Sequence, residues 1–283
     1  MNGAKVKKAI KWTICILLVG YLIYSIYTIS SIGCAIYRCS RHKKGFPHTE
    51  DFYYSIGSLT GSSDKYAQIH ELTETGKDKE IIVIPRELEG YKVIYLYRNL
   101  WLNHTELESD ALKKIYIPDA RPIEDTFYGC PNLEKVIFYE AGGKELELSS
   151  WRKLDTQTTK LYISSYEYDK NLYRGNIYRK YDYDDVISRY FANVSYMYNY
   201  ENAGHNGYYW IDDYDYGTKI EYIPEEPTRE GYTFVGWYRE PECIHKWDFT
   251  VDTLPEEVTE EDEDGEQIVA YQETRLYAKW TEK

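Results

Sequence analysis

The chain has 283 residues, which is enough for a membrane segment and two modest domains. Its net charge of −13 is unevenly distributed: residues 1–44 contain eight Lys or Arg and no Asp or Glu, which leaves −21 on the remaining 239 residues. An acidic body argues against generic nucleic-acid binding, because neutralising phosphates requires a basic face.

Residues 12–37 form an uncharged, largely apolar run. As a helix the run would span ~39 Å, which is long enough to cross a bilayer with some tilt. Trp12 and Tyr37 stand at its two ends, where amphipathic rings favour the membrane interfaces. We therefore predict that residues 1–44 are a cytoplasmic tail and a transmembrane signal anchor. A cleaved signal peptide is the alternative, although its apolar region is usually shorter, roughly 7–15 residues.

Short apolar runs that end in proline recur after this segment. They read Ile-Val-Ile-Pro from Ile82 and Ile-Tyr-Ile-Pro from Ile115, and the stretch 127–133 reads Phe-Tyr-Gly-Cys-Pro-Asn-Leu before Val136. Each run is typical of a short strand, because proline lacks the N–H that a β-ladder needs. These residues resemble BspA-like leucine-rich repeats, and the resemblance implies a short β-solenoid over residues 51–165.

The spacing of the apolar runs drifts, which is typical of a short, degenerate solenoid with about three or four coils. Ile82 and Ile115 are 33 residues apart, Ile115 and Val136 are 21 apart, and Val136 and Leu161 are 25 apart. Units that cannot bury an apolar face alone stack on their neighbours, so we predict that these positions align in adjacent coils. Residues 166–191 show no sustained pattern and are interpreted as a connector, with a candidate helix over 177–191.

Residues 192–283 begin with alternating apolar and polar positions. The alternation predicts strands over 194–200, 208–211, 220–223 and 232–237. Turn-forming residues separate the first two of these segments, which is typical of a strand that returns on its neighbour.

The stretch Pro227 to Phe249 reads PTREGYTFVGWYREPECIHKWDF, and Leu276 to Trp280 reads LYAKW. These residues resemble the internalin-B-type B repeat, also called the Listeria-Bacteroides repeat, a small β-rich module of bacterial surface proteins. The resemblance implies a β-grasp-like module over residues 192–283, with Trp237 and Trp247 in its core.

An acidic insertion between Asp252 and Thr274 departs from that pattern. Residues 260–265 roughly follow the spacing of an EF-hand calcium loop, but the position that requires a bidentate Glu falls on Tyr271. A hairpin that turns at Asp264-Gly265 is the preferred interpretation, and calcium binding is the alternative.

We find no residue pattern that indicates catalysis. The histidines are scattered, and no Cys/His cluster with metal-ligand spacing is present. Cys130 and Cys243 are expected to be buried thiols. Asp212 and Asp213 are adjacent, and neighbours on a strand point to opposite faces, so we do not expect them to act as a pair. We therefore predict a non-enzymatic protein with no catalytic, cofactor-binding or metal-binding residues.

Tyrosine is unusually frequent, with 33 residues in the chain and 18 of them between Tyr162 and Tyr238. Most of these are expected to pack in β-sheets, because tyrosine favours half-buried sheet faces. An exposed remainder would offer large, rigid contact area. The candidate contact residues are Tyr208, Tyr209, Tyr214 and Tyr216.

Together these features predict a mainly β protein with an N-terminal transmembrane helix, a leucine-rich-repeat solenoid and a C-terminal B-repeat module. We expect a single-pass protein of a bacterial cell membrane, anchored through residues 12–37, with extracellular C-terminal domains. Basic residues flank both ends of that segment, so the orientation follows from the resemblance and not from charge. The expected function is adhesion to a protein or glycan on a host or neighbouring cell. An envelope scaffold or sensory accessory protein is the alternative, and a glycan-active enzyme is a third.

Overall fold

The structure is a computed structural model that describes most of the chain after residue 46. The described residues are 47–58, 63–96, 107–118, 121–122, 127, 129–140, 159–165, 176–180, 186–261 and 265–283. Residues 48–98 and 104–283 belong to one compact unit. The predicted membrane segment 12–37 lies outside the described residues, and among those that are described no helix is long and apolar enough to cross a bilayer.

The described part of the chain is mainly β, with one helix of four residues. In chain order the elements are β1 (Phe52–Ser58), β2 (Lys65–Leu72), α1 (Glu74–Lys77), β3 (Ile81–Val83), β4 (Glu87–Leu88), β5 (Tyr91–Leu96), β6 (Lys114–Ile117), β7 (Arg121–Pro122), β8 (Lys135–Phe138), β9 (Lys160–Ile163), β10 (Asn176–Lys180), β11 (Val186–Phe191), β12 (Val194–Met197), β13 (Tyr208–Asp212), β14 (Tyr232–Tyr238), β15 (Thr259–Glu261), β16 (Gln267–Val269) and β17 (Thr274–Glu282). A single 3₁₀ turn over His205–Gly207 precedes β13.

The first sheet has the strand order β1-β2-β5-β4, and β7 pairs with β5. β1 and β2 are antiparallel, whereas β5 runs parallel to β2. Alternate residues of each strand point into the core: Phe52 and Tyr54 are buried in β1, and Ala67 and Ile69 are buried in β2.

A six-stranded sheet forms the middle of the molecule, in the order β10-β11-β9-β8-β6-β3. Strands β3, β6, β8, β9 and β11 are parallel neighbours, and β10 closes the edge in the antiparallel direction. Ile82 pairs with Ile115, Ile115 with Val136, and Val136 with Leu161. The predicted alignment of these four positions is therefore confirmed.

Both faces of this parallel sheet are buried. One face carries Ile115, Val136 and Leu161, and the other carries Tyr116, Ile137 and Tyr162. Parallel strands are usually covered on both faces, which explains why the sequence Ile-Tyr-Ile reads as continuously apolar and not as alternating.

The C-terminal sheet has the order β13-β12-β17-β14. β12 and β13 form an antiparallel hairpin, β17 inserts parallel to β12, and β14 lies antiparallel on the other side of β17. The predicted hairpin in the acidic insertion is confirmed, because β15 and β16 pair with Thr259 opposite Val269. Residue 264 of its predicted turn lies outside the described residues.

Two cores result, one on each face of the parallel sheet. The first, which we call the aliphatic core, is formed mainly by Phe52, Ile69, Leu72, Ile82, Ile84, Val93, Leu112, Ile115, Ile117, Leu133, Val136, Phe138, Leu161 and Ile163. The second, which we call the aromatic core, is formed mainly by Tyr116, Ile137, Tyr139, Tyr162, Val194, Tyr196, Tyr208, Tyr209, Trp210, Ile211, Trp237, Trp247, Leu276 and Ala278. The aromatic core joins the parallel sheet to the C-terminal sheet.

Two local predictions are wrong. The candidate helix over 177–191 is replaced by β10 and β11, because β11 extends the parallel sheet by pairing with β9. Residues 220–223 form no strand, although Ile220 is buried and Tyr222 stacks on Tyr116 with ring centroids 5.0 Å apart. The alternation there reflects side-chain burial without pairing to a neighbouring strand.

Candidate contact site

Two of the four tyrosines proposed as contact residues are buried. Tyr208 and Tyr209 lie in β13, and only 3% and 4% of their surfaces are exposed. The expectation that they are exposed is wrong, because all five residues of β13 are buried, and Tyr208 and Tyr209 belong to the aromatic core. Tyr209 donates its hydroxyl hydrogen to the carbonyl of Glu225 at 2.7 Å, which fixes it within the fold.

Tyr214 and Tyr216 are half-buried, and each connects two loops. The hydroxyl of Tyr214 accepts the backbone N–H of Tyr222 at 2.9 Å. The hydroxyl of Tyr216 accepts the backbone N–H of Gln272 at 2.9 Å. A contact role for these two residues stays a prediction, but their hydroxyls already have partners.

The adjacent carboxylates Asp212 and Asp213 both face the parallel sheet, contrary to the expectation that they diverge. Asp212 ends β13 and lies 3.1 Å from the Lys114 ammonium, whereas Asp213 lies beyond the strand and 2.7 Å from Lys135. The two lysines are paired on neighbouring strands β6 and β8. We call these four residues the lysine–aspartate seam.

Burial dominates the electrostatics of this seam. Asp212 has no exposed surface and also accepts the Tyr116 hydroxyl hydrogen at 2.6 Å. Burial raises the pKa of Tyr116, and the Asp212 carboxylate raises it further. Burial also raises the pKa of Asp213, although Lys135 opposes that shift. Each carboxylate therefore neutralises one lysine at the joint between the two sheets, which is a structural role.

A half-buried arginine completes the same joint. The guanidinium of Arg86 lies over the rings of Tyr139 and Tyr209, at 5.0 Å and 4.6 Å from their centroids. It donates to the Glu140 carboxylate at 2.7 Å and to the Tyr209 carbonyl at 2.6 Å. Its stacking faces and its hydrogen-bonding edge are thus both used inside the protein.

A second arginine with aromatic neighbours lies beside the C-terminal sheet. The guanidinium of Arg229 lies 3.6 Å from the ring centroid of Tyr232, 4.4 Å from that of Tyr200 and 5.9 Å from that of Trp280. Trp280 also contacts the ring of Phe234, with centroids 5.7 Å apart. All of these side chains are half-buried. We call this group the aromatic–arginine surface, and its members are Tyr198, Tyr200, Arg229, Tyr232, Phe234 and Trp280.

Three separate segments build the aromatic–arginine surface. Tyr200 lies in the turn after β12, Tyr232 begins β14, and Trp280 lies near the end of β17. A turn places Arg229, because the backbone N–H of Tyr232 donates to the Arg229 carbonyl at 3.1 Å and Gly231 adopts a φ of 76°. The indole N–H of Trp280 donates to the Tyr198 carbonyl at 2.7 Å, which fixes that ring.

Arg229 differs from the other arginines whose side chains the structure describes. Arg86 binds Glu140, Arg239 binds Asp252 at 2.6 Å, and Arg275 binds Glu273 at 2.8 Å. Within the described residues the Arg229 guanidinium contacts rings and forms no hydrogen bond or ion pair. Its N–H donors are therefore available to a partner.

Sequence reasoning missed this surface. The motif Pro-Thr-Arg-Glu-Gly-Tyr contains Arg229 and Tyr232, but in the sequence alone it indicates only the resemblance to the Listeria-Bacteroides repeat. A usable signal was the arginine three residues before an aromatic strand residue, because that spacing suits a stacked pair across a turn. The approach of Tyr200 and Trp280 is not visible in the sequence.

The metal, calcium and cysteine expectations have the following outcomes. Among the described side chains no group of His, Cys, Asp or Glu is arranged to hold a metal ion. Residues 262–264 of the calcium alternative lie outside the described part. Cys130 and Cys243 are buried, as predicted.

Comparison with known proteins agrees with the C-terminal resemblance. Residues 193–260 match the Listeria-Bacteroides repeat domain, so the match covers β12 to β15 and includes Tyr200, Arg229 and Tyr232. No curated protein matches the chain. The resemblance of residues 51–165 to BspA-like leucine-rich repeats stays a prediction. The Listeria-Bacteroides repeat is a repeat of surface proteins, and the chain carries one such stretch over residues 193–260.

Proposed function

We propose that this chain is a non-enzymatic binding protein of a bacterial cell surface that contacts its partner through the aromatic–arginine surface. The observation that carries the proposal is the unpaired guanidinium of Arg229 among half-exposed Tyr and Trp rings. Arginine, tyrosine and tryptophan are the side chains that contribute most to binding energy at contact surfaces.

The proposed arrangement places residues 1–44 in the cytoplasm and membrane and the rest of the chain outside. Residues 51–165 would be a short leucine-rich-repeat solenoid, 166–191 its connector and 192–283 a β-grasp-like B-repeat module. The parallel order of β3, β6, β8 and β9 supports the solenoid. The match of residues 193–260 supports the B-repeat module. Adhesion to a host or neighbouring cell is the function that these modules would serve together.

Location is tested first, with an epitope tag fused after Lys283. Protease added to intact cells should remove the tag while a cytoplasmic control protein survives. A tag that is cleaved only after lysis would place the C-terminal module inside the cell and end the adhesion proposal.

The contact surface is tested by adherence of cells that produce the full chain. Tyr200→Ala removes one ring from the aromatic–arginine surface, and Tyr53→Ala removes a half-buried ring from the first sheet as the matched control. We expect adherence to host or neighbouring cells to fall with Tyr200→Ala and to stay unchanged with Tyr53→Ala. Equal adherence of all three forms, at equal surface amounts, would show that the partner binds elsewhere.

A further inference from the structure

Two arginines of this protein lie in nearly the same aromatic environment, but only one of them binds a carboxylate. Arg86 lies over two tyrosine rings and holds the buried carboxylate of Glu140 at 2.7 Å. Arg229 also lies over two tyrosine rings, at similar or shorter distances, and no carboxylate of the described residues reaches it. Arg86 therefore shows the form that the Arg229 site would take when it is occupied.

Stacking prepares a guanidinium for such binding. Ring contacts cover the flat faces of Arg229 and restrict its rotation, which leaves the planar edge with its forked N–H donors. That edge matches a carboxylate in bidentate geometry. In a chain with a net charge of −13, anions are repelled by the surface as a whole, so binding has to depend on this local site.

The rest of the aromatic–arginine surface suits a sugar ring better than a protein. Half-exposed Tyr200 and Trp280 contact each other edge to face, with centroids 5.9 Å apart, and offer apolar area beside the guanidinium. Exposed acidic residues adjoin these residues in the chain or in space: Glu201 follows Tyr200, Glu230 follows Arg229, and the Glu282 carboxylate lies 3.3 Å from the Tyr232 hydroxyl. Sugar hydroxyls can donate to these carboxylates, whereas a broad protein interface would have to desolvate them.

We infer that the aromatic–arginine surface binds an acidic sugar, with the sugar carboxylate on Arg229 and the apolar face of the sugar ring on Tyr200 and Trp280. The inference rests on the proposed surface-binding function and names the class of ligand for that site. Uronates and sialates share the required chemistry, since each combines a carboxylate with a ring that has an apolar C–H face.

The test is a titration of the purified full chain, in detergent, with oligosaccharides that differ in charge. The probes are sialyllactose and a glucuronate-containing tetrasaccharide, and neutral lactose is the control. We expect one or both acidic probes to bind and lactose to bind at least about tenfold more weakly. Binding should weaken as salt rises, because the interaction is partly electrostatic.

Variants then assign the binding to Arg229. Arg229→Gln should lower the affinity for the acidic probe about tenfold or more, and Arg229→Lys should give an intermediate loss because the fork is missing. The matched control is Arg239→Gln, which removes the same charge from the same module at an arginine paired with Asp252 and stacked 5.2 Å from the Trp247 ring centroid. Circular dichroism and thermal unfolding check that each variant is folded.

Several outcomes would overturn the inference. Equal binding of acidic and neutral probes, or equal losses with Arg229→Gln and Arg239→Gln, would remove the role of Arg229. A glutamate-rich peptide that binds through Arg229 while neither acidic sugar binds would assign the site to a protein partner. If cells adhere through Tyr200 but no acidic sugar binds, the proposed function stands and only the ligand class is wrong.

Discussion

The parallel sheet separates an aliphatic core from an aromatic core, and the two are stabilised by different means. On the aliphatic side, Ile82, Ile115 and Val136 stack in register and bury only hydrocarbon. On the aromatic side, Tyr116 and Tyr162 bring hydroxyls and charged neighbours into the interior. Hydrocarbon packing needs only matching shapes, whereas the aromatic core also needs a partner for nearly every polar atom.

Those polar partners come from distant parts of the chain. Lys114 and Asp212 are 98 residues apart, and Arg86 reaches the carbonyl of Tyr209 across 123 residues. On the aliphatic side, strands β3, β6, β8 and β9 instead lie side by side in their chain order. The aromatic core is therefore the element that makes the C-terminal sheet part of the same unit.

The largest effect is expected from removing the central ring of the aromatic core. Trp210 is 4% exposed and stacks on Tyr139 with centroids 4.0 Å apart. Trp210→Ala should lower the free energy of unfolding by about 3–5 kcal/mol, and Ile115→Ala in the aliphatic core by about 2–5 kcal/mol. Urea unfolding followed by far-ultraviolet and near-ultraviolet circular dichroism measures both.

The shape of those unfolding curves tests whether the cores are coupled. Because both belong to one compact unit, each variant should still unfold in a single transition at both wavelengths. Two separated transitions in Trp210→Ala would show that the C-terminal sheet unfolds independently of the parallel sheet.

Breaking the lysine–aspartate seam should have a similar or slightly smaller effect. Asp212→Ala leaves Lys114, which is 14% exposed, without its carboxylate, and should cost about 3–5 kcal/mol. The double variant Lys114→Met with Asp212→Leu removes both charges and should recover most of that loss. If the double variant is as unstable as the single one, packing and not charge burial explains the effect; thermal unfolding at neutral pH distinguishes the two.

Alkaline pH should weaken the aromatic core specifically. Burial raises the pKa of Tyr116, Tyr139 and Tyr162 above the ordinary value of 10.0. For a phenol whose folded pKa is raised, the stabilisation is complete below the unfolded pKa and is lost as pH rises above it. Each such tyrosine should lower stability by about 1.4 kcal/mol per pH unit above roughly pH 10.

Urea unfolding between pH 8 and 11, with tyrosinate absorbance recorded in parallel, checks this dependence. The double variant Lys114→Met with Asp212→Leu is the control, because it removes the ion pair beside Tyr116 and leaves all three tyrosines in place. Stability that stays constant to pH 11, or tyrosinate absorbance that reaches its fully unfolded value before unfolding, would contradict the burial of these hydroxyls.

The aliphatic half of the fold was largely predictable, and the aromatic half was not. Stacking of Ile82, Ile115, Val136 and Leu161 follows from strand-ending prolines and equivalent apolar positions, which are local signals. The burial of Tyr208 could not be derived, since a tyrosine in a strand suits an exposed face as well as a core. Its position depends on which sheet covers β13.

The candidate site was harder still to predict, for the same reason. Arg229 and Tyr232 are close in sequence, and the turn between them can be inferred from Gly231. Tyr200 and Trp280 join them only because β17 inserts between β12 and β14. Sheet order is set by the whole fold and not by the local pattern, so the surface emerges only in three dimensions.

The smallest expected effect concerns single hydroxyls inside the aromatic core. Tyr139 donates to the Ile84 carbonyl at 2.8 Å, whereas the fully buried hydroxyl of Tyr196 has no hydrogen-bond partner among the described residues. Tyr139→Phe should therefore cost about 0.5–1.5 kcal/mol, and Tyr196→Phe should be neutral or stabilising by up to about 1 kcal/mol. Both changes remove one oxygen from a tyrosine of the same core, so differences in packing largely cancel. Thermal unfolding of the two variants side by side gives the comparison. An equal loss in both would mean that the Tyr196 hydroxyl is satisfied, and that polar pairing in the aromatic core is more complete than its geometry indicates.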